Sequence, residues 1–222
     1  MGLPLPRRLG MDDLVDAVDI MTQEFFDDPL WRHLLHDERK RRRMLPEFFR
    51  KFLQRGIECG EVYGAGRPLQ GVAIWVMDRH GGDWISRPSE AAYMDLLLDP
   101  SLTSSSNART IFSTLDALQL RHAPGPHMYL SSIGVAAEAR GSGVASRLIK
   151  PFLALADGCS MPIYTETVEA SNIPLYEHFH FKIVQTISVP GATLTIWSLL
   201  RCPRALAERK MVRGMGFEPM NH

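Results

Sequence analysis

The sequence predicts an α/β (α+β) domain built on a mixed, mostly antiparallel sheet flanked by helices, and three observations carry that prediction. The hydrophobic period changes from helical to strand-like after Cys59. Between Met128 and Thr167 a strand, a glycine-rich turn, a helix and a second strand follow one another, the pattern of a βαβ unit with parallel strands. Two β-rich runs downstream, Lys182 to Val189 and Thr193 to Leu200, are placed to pair across Pro190-Gly191.

The elements follow in order. Asp12 is positioned to cap a helix whose Leu14, Val15, Val18, Met21 and Phe25 recur at helical spacing, and Asp27-Asp28-Pro29 breaks it. A short helix near Leu30 to Leu35 and a longer one from about Glu38 to Cys59 come next. Pro46 falls inside the latter, where proline removes a hydrogen bond. Glu61 to Ala65 and Leu69 to Met77 read as a hairpin around Gly66-Arg67-Pro68, and Gly81-Gly82 ends it. Helices are expected at Ser89 to Leu98 and Asn107 to Arg121, then a break at Ala123-Pro124-Gly125-Pro126. The βαβ unit comprises Met128 to Val135, about Ser142 to Ala156, and Ile163 to Thr167, followed by a short helix Ile173 to His178.

The 222 residues suit one domain over 1–201, with a weakly patterned basic tail over 202–222 left outside the core. Lys plus Arg and Asp plus Glu number 25 each, so the chain lacks the basic excess expected of a nucleic-acid binder. The three cysteines form no Cys-x-x-Cys pair and read as reduced thiols. No stretch approaches the roughly 18 apolar residues of a membrane span, and the N-terminus has no signal-like apolar core, so a cytoplasmic protein is expected.

The turn Val135-Ala136-Ala137-Glu138-Ala139-Arg140-Gly141-Ser142-Gly143-Val144-Ala145 carries the most chemistry. N–H groups at a helix start have no intrahelical partner, and glycines admit an anion to the backbone, so the turn suits a phosphate. The same glycines also suit a helix entry that needs them only for geometry. A Walker pattern is absent, and the Rossmann pattern lacks its third glycine because Ser146 stands there.

Arg140-x-x-Gly143-x-Ala145 resembles the signature of the GNAT superfamily of N-acetyltransferases. The resemblance extends to Tyr129-Leu130-Ser131-Ser132-Ile133-Gly134-Val135, similar to that family's fourth strand, and to Asn172-Ile173-Pro174-Leu175-Tyr176-Glu177-His178-Phe179-His180-Phe181. Phe25-Phe26-Asp27-Asp28-Pro29 and Gly71-Val72-Ala73-Ile74-Trp75 resemble a puromycin N-acetyltransferase-like subgroup. His180 stands where the family usually has glycine, and a left-handed backbone there would cost it about 1 kcal/mol.

The resemblance implies a sheet splayed at the fourth strand and a direct, ternary-complex transfer of acetyl from acetyl-CoA to a primary amine of a small molecule, with no metal. It implies that backbone groups of Ile133, Gly134 and Val135 hold the pantetheine arm, and that Arg140, Gly141, Ser142, Gly143, Val144, Ala145 and Ser146 cradle the pyrophosphate. It also implies that Asn172 reaches the cofactor arm and that the Tyr176 hydroxyl serves as the acid for the departing thiolate. Glu166, and after it Glu169, are the candidate bases. Ser131 and Ser132 alternate faces, so one of them should look into the cleft. Phe26, Trp31 and Ser131 are the expected acceptor contacts. Arg39-Lys40-Arg41-Arg42-Arg43 reads as a solvated helix face or an acidic partner's contact, and His127, His178 and His180 read as structural. Two other functions fit parts of the pattern: a non-catalytic acyl-CoA-binding module and a dinucleotide-binding oxidoreductase. The chain is expected to act as a monomer or homodimer, without nucleic acid or membrane.

Overall fold

A computed structural model describes residues 6–78, 106–189 and 192–204. The expected helix at Ser89 to Leu98 and the tail segment Ala205 to Val212 lie outside the described residues. One sheet organises the rest, with strands β1 Arg7–Arg8, β2 Val62–Ala65, β3 Gly71–Asp78, β4 His127–Val135, β5 Ile163–Thr167, β6 Lys182–Ser188 and β7 Thr195–Arg201. Their order is β1-β2-β3-β4-β5-β7-β6, and β4 with β5 is the parallel pair while the other neighbours run antiparallel. This is the GNAT fold, with helices α1 Leu14–Phe25, α2 Pro29–Leu34, α3 Glu38–Glu58, α4 Ser106–His122, α5 Val144–Gly158 and α6 Ile173–His178 around the sheet.

One local expectation is corrected. The carboxylate at the first helix start is Asp13, not Asp12: its Oδ2 accepts from the Gly10 N–H at 2.9 Å, and both its oxygens accept from Arg7. A 3-10 turn at Met11–Asp13 precedes α1 and shifts the register by one residue. Pro46 lies inside α3 without ending it. An interior proline costs about 3 kcal/mol, but Leu45, Phe48, Phe49 and Leu53 bury on the same helix, each worth roughly 1.5–3 kcal/mol.

Strands β3 and β4 form the spine. Alternation puts Gly134 against α1, where an added Cβ would stand 2.9 Å from Met21 Sδ, and Gly71 against α5, where it would stand 2.5 Å from Val144 Cγ1. The two helices therefore press on opposite faces at close range. On the α5 side Trp75 stacks on Phe152 at 4.5 Å and donates from Nε1 to the Leu148 carbonyl. Ile74 pairs with Ser132 but Trp75 pairs with Leu130, so Ser131 is an extra residue that bulges β4.

Beyond Tyr129↔Tyr164 the β4–β5 ladder stops, and the two strands diverge. The Thr165 hydroxyl spans the start of the gap by donating to the Leu130 carbonyl at 2.9 Å. At the opposite end of β5, Arg201 of β7 is 2% exposed and forms a two-point pair with Asp157 of α5, whose Oδ1 also accepts from the Arg204 N–H. The sheet's far half and α5 are thus held together at one charged point.

Among the described residues no helix is long and apolar enough to cross a membrane, and Cys59, Cys159 and Cys202 are free and exposed. Asp157→Ala would leave the Arg201 guanidinium buried without its carboxylate and should cost about 3 kcal/mol. Thermal unfolding should show it as a Tm lower by roughly 6–12 °C; an unchanged Tm would mean the pair carries no net stability.

Candidate active site

The divergence of β4 from β5 opens the sheet, and two cavities meet in the opening. The first is a cleft of about 660 Å³ lined by Ile133 and Val135 of β4, by Arg140, Gly141, Gly143, Val144, Ala145 and Ser146 of the turn and helix start, and by Glu169, Asn172 and Leu175. The turn takes its shape from Gly141 and Gly143, whose φ angles of 76° and 80° lie in the left-handed region that favours glycine. A Cβ at either would meet nothing within 4 Å, so the space in front of the turn is open. The first N–H groups of α5 face no intrahelical acceptor. An open concavity rimmed by such donors and the positive end of a 15-residue helix fits a pyrophosphate.

The second cavity, about 150 Å³, lies on the other side of the splay. Phe25, Trp31, Phe48, Phe49, Phe52 and Phe112 give it aromatic walls, while Ser131, Ser132, Thr165, Glu166, Asp116 and Tyr176 supply polar groups. Phe25, Asp28, Ile133 and Asn172 line both cavities and so mark their junction.

Electrostatics separates the titratable groups. Burial lifts the Asp28 carboxyl to about 6, with Glu169 and Glu24 adding to the rise and the N–H groups of Leu30 and Trp31 opposing it. Burial also pushes Glu166 up to about 8; the neighbouring Tyr164 and Tyr129 hydroxyls oppose the shift and the Asp116 carboxylate adds to it. The Glu166 Oε1 is buried with no partner at hydrogen-bonding distance. Tyr176, 5% exposed, is pushed up to about 12 mainly by burial, with a hydrogen bond to the Thr165 hydroxyl working the other way and the Glu166 charge adding to the rise. A phenol so placed keeps its proton at neutral pH.

The structure brings most of the sequence-derived residues to these cavities. Ile133, Val135, Arg140, Gly141, Gly143, Val144, Ala145, Ser146 and Asn172 line the cleft, and Glu166, Tyr176, Trp31 and Ser131 line the chamber. Others sit elsewhere. Ser142 does not line the cleft; its N–H and hydroxyl both donate to the Ala139 carbonyl. Gly134 does not line the cleft; its α-carbon is packed against Met21 and Glu24. Phe26 faces away from the chamber, under the guanidinium groups of Arg41 and Arg42 at 4.7 and 5.2 Å. Arg41 is itself buried and donates to the Leu35 carbonyl, so part of the basic run is structural. Both Ser131 and Ser132 reach the chamber, because the bulge at Ser131 cancels strict alternation. His180 keeps the left-handed backbone, with φ of 65°, and closes α6 by donating its N–H to the Glu177 carbonyl. Among the described residues no group of three or more His, Cys, Asp or Glu is placed to hold a metal.

Asp28 and Asp116 were not singled out from the sequence. Asp28 precedes a proline at a helix start and caps α2 by accepting from the Leu30 N–H at 2.9 Å, a reading that accounts for it without any site. Asp116 carried a usable signal: it shares a helix face with the buried Phe112 and Gln119, where a carboxylate needs a reason.

Residues 74–181 match the family model described as the acetyltransferase (GNAT) family. An uncharacterised N-acetyltransferase of Schizosaccharomyces pombe is 27% identical over 190 residues, covering 82% of this chain and 75% of the relative. Among solved structures, a protein described as histone acetyltransferase HPA2 and related acetyltransferase from Corynebacterium glutamicum shares 21% identity with a TM-score of 0.60, over 91% of this chain and 97% of its own. A Drosophila melanogaster polyamine N-acetyltransferase that forms N-acetylagmatine shares 12% identity with a TM-score of 0.61, over 89% and 99%. The chain has the GNAT fold, and the match across its glycine turn and both splayed strands, with the yeast relative, supports its place among the GNAT N-acetyltransferases.

Proposed function

We propose that this chain transfers an acetyl group from acetyl-CoA to a primary amine of a small molecule in a single ternary complex. The observation that carries this reading is the junction: an anion-accepting cleft and an aromatic chamber open onto each other at Ile133, Asn172, Phe25 and Asp28. A donor held in the cleft and an acceptor held in the chamber meet there, which converts a bimolecular reaction into an oriented one. Solved neighbours named for a histone and for a polyamine acceptor share the fold, so the fold alone does not choose the acceptor. The chamber's volume of about 150 Å³ favours a small molecule, as does the resemblance of Phe25 to Pro29 and Gly71 to Trp75 to puromycin N-acetyltransferase-like proteins.

Bound in the cleft, acetyl-CoA supplies an acetyl thioester. The backbone of Ile133 and Val135, left without a β5 partner by the splay, holds the pantetheine arm as an added strand. The N–H groups from Gly141 and from Gly143 to Ser146 hold the pyrophosphate, while Arg140 stands at the rim paired with Glu24 at 2.9 Å. Asn172, at the junction, orients the arm. As the amine nitrogen bonds to the carbonyl carbon and the carbon–sulfur bond breaks, Tyr176 gives its proton to the sulfur. Asp28 accepts the proton the nitrogen loses. Its position at the junction favours it over Glu166, which lines the chamber alone; Glu166 is the second candidate, acting through water.

Tyr176→Phe should lower kcat by about 10²–10³-fold while leaving the acetyl-CoA Kd within a few-fold, since the hydroxyl works on the leaving group. Steady-state kinetics with calorimetry checks this, and an unchanged kcat removes Tyr176 as the acid. A base must be ionised, so kcat/KM should rise as pH rises through about 6, and Asp28→Asn should abolish that limb. A limb near 8 that disappears in Glu166→Gln would assign the proton to Glu166 instead.

The Glu166 shift also has a stability consequence with a definite sign. A carboxyl raised to about 8 in the folded protein holds a proton that the unfolded chain has already lost, so wild-type stability should fall as pH rises from the ordinary carboxylate range toward 8. Glu166→Gln should flatten that fall, measured as Tm against pH. A variant with the wild-type slope would show that the carboxyl is not held neutral.

A further inference from the structure

The chamber walls bear on which amine is taken. Phe25, Trp31, Phe48, Phe49 and Phe52 form a continuous aromatic lining, with ring centroids 5.4 Å apart for Phe25–Phe49, 4.4 Å for Trp31–Phe48 and 5.8 Å for Phe48–Phe52. Phe112 of α4 faces the same space. The volume of about 150 Å³ matches that of an apolar cavity that admits one benzene molecule. Polar groups are placed unevenly around this lining: Asp28 stands where the chamber meets the cleft, and Glu166 stands inside the chamber with Asp116 near it.

We propose that the acceptor is a primary monoamine joined by a short chain to one benzene-sized apolar ring, with its nitrogen at Asp28 and its ring among Phe25, Trp31, Phe48, Phe49 and Phe52. The proposal takes its chemistry from the acetyl-transfer reading and its selectivity from the chamber alone. A ring filling this space removes its own apolar surface and that of the walls from water, and aromatic pairs add to that gain. A linear diamine would instead carry a second ammonium among the rings, where losing its water costs several kcal/mol unless an ionised partner meets it. Glu166 is a poor partner in that role, because burial leaves it protonated at neutral pH, so within the chamber a second ammonium would depend on Asp116.

The test is thiol release from acetyl-CoA by the full chain with 2-phenylethylamine, benzylamine, putrescine, agmatine and a lysyl peptide. It is run beside calorimetric titration of 2-phenylethylamine into the CoA-loaded protein. We expect kcat/KM for 2-phenylethylamine to exceed that for putrescine, agmatine and the peptide by at least about tenfold. Phe52→Leu, which enlarges the chamber, should raise the ratio of tryptamine to 2-phenylethylamine several-fold. A better rate with putrescine, agmatine or the peptide would overturn the proposal and leave acetyl transfer intact. Binding of 2-phenylethylamine without thiol release from any amine would support the ring pocket and remove the transfer reading. Neither binding nor release would overturn the proposal.

Discussion

The structure depends on the point where β4 parts from β5. Parallel strands that keep their ladder leave no room between them, so a site at the middle of a sheet requires hydrogen bonds to be given up. Here the ladder ends after Tyr129↔Tyr164 and one side-chain bond, from the Thr165 hydroxyl to the Leu130 carbonyl, bridges the start of the gap. The backbone groups of Ile133 and Val135 that β5 would have engaged are left facing the cleft, and the bulge at Ser131 turns both serines toward the chamber. Cleft and chamber are thus two sides of one interruption.

Keeping that interruption open requires rigid walls. Gly134 and Gly71 let α1 and α5 press directly on the spine, and the Arg201–Asp157 pair ties β7 to the end of α5. The aromatic run of α3, packed with Trp31 of α2, lines the chamber. Because these contacts are core contacts, the walls of the chamber and the stability of the fold draw on the same residues.

The site also carries costs that the remaining fold must outweigh. Asp28 and Glu166 are both carboxyls removed from water, and His180 holds a left-handed backbone. Groups with pKa values pushed toward neutrality are suited to moving protons, and their concentration at the splay sets this region apart from the Arg201–Asp157 pair, where charge is matched and structural.

Much of this was legible in the residues. Period and turn chemistry located β5 and α6 to the residue and most other elements to within one or two, because alternation, helical spacing and breakers act locally. The Arg140-x-x-Gly143-x-Ala145 turn with the Tyr129 to Phe181 motifs pointed to the cleft at the start of α5, since left-handed glycines at a helix start need only neighbouring residues to form. What local pattern did not carry is direction and partnership. Phe26 read as an acceptor contact but lies under Arg41 and Arg42, while Asp28 read as a helix break yet stands between the cavities. Spacing and motif thus determined the fold and the glycine-turn cleft. The aromatic chamber was decided only by tertiary structure, because its walls come from α1, α2, α3, α4, α6, β4 and β5 together, and no local rule states which faces of distant elements will meet.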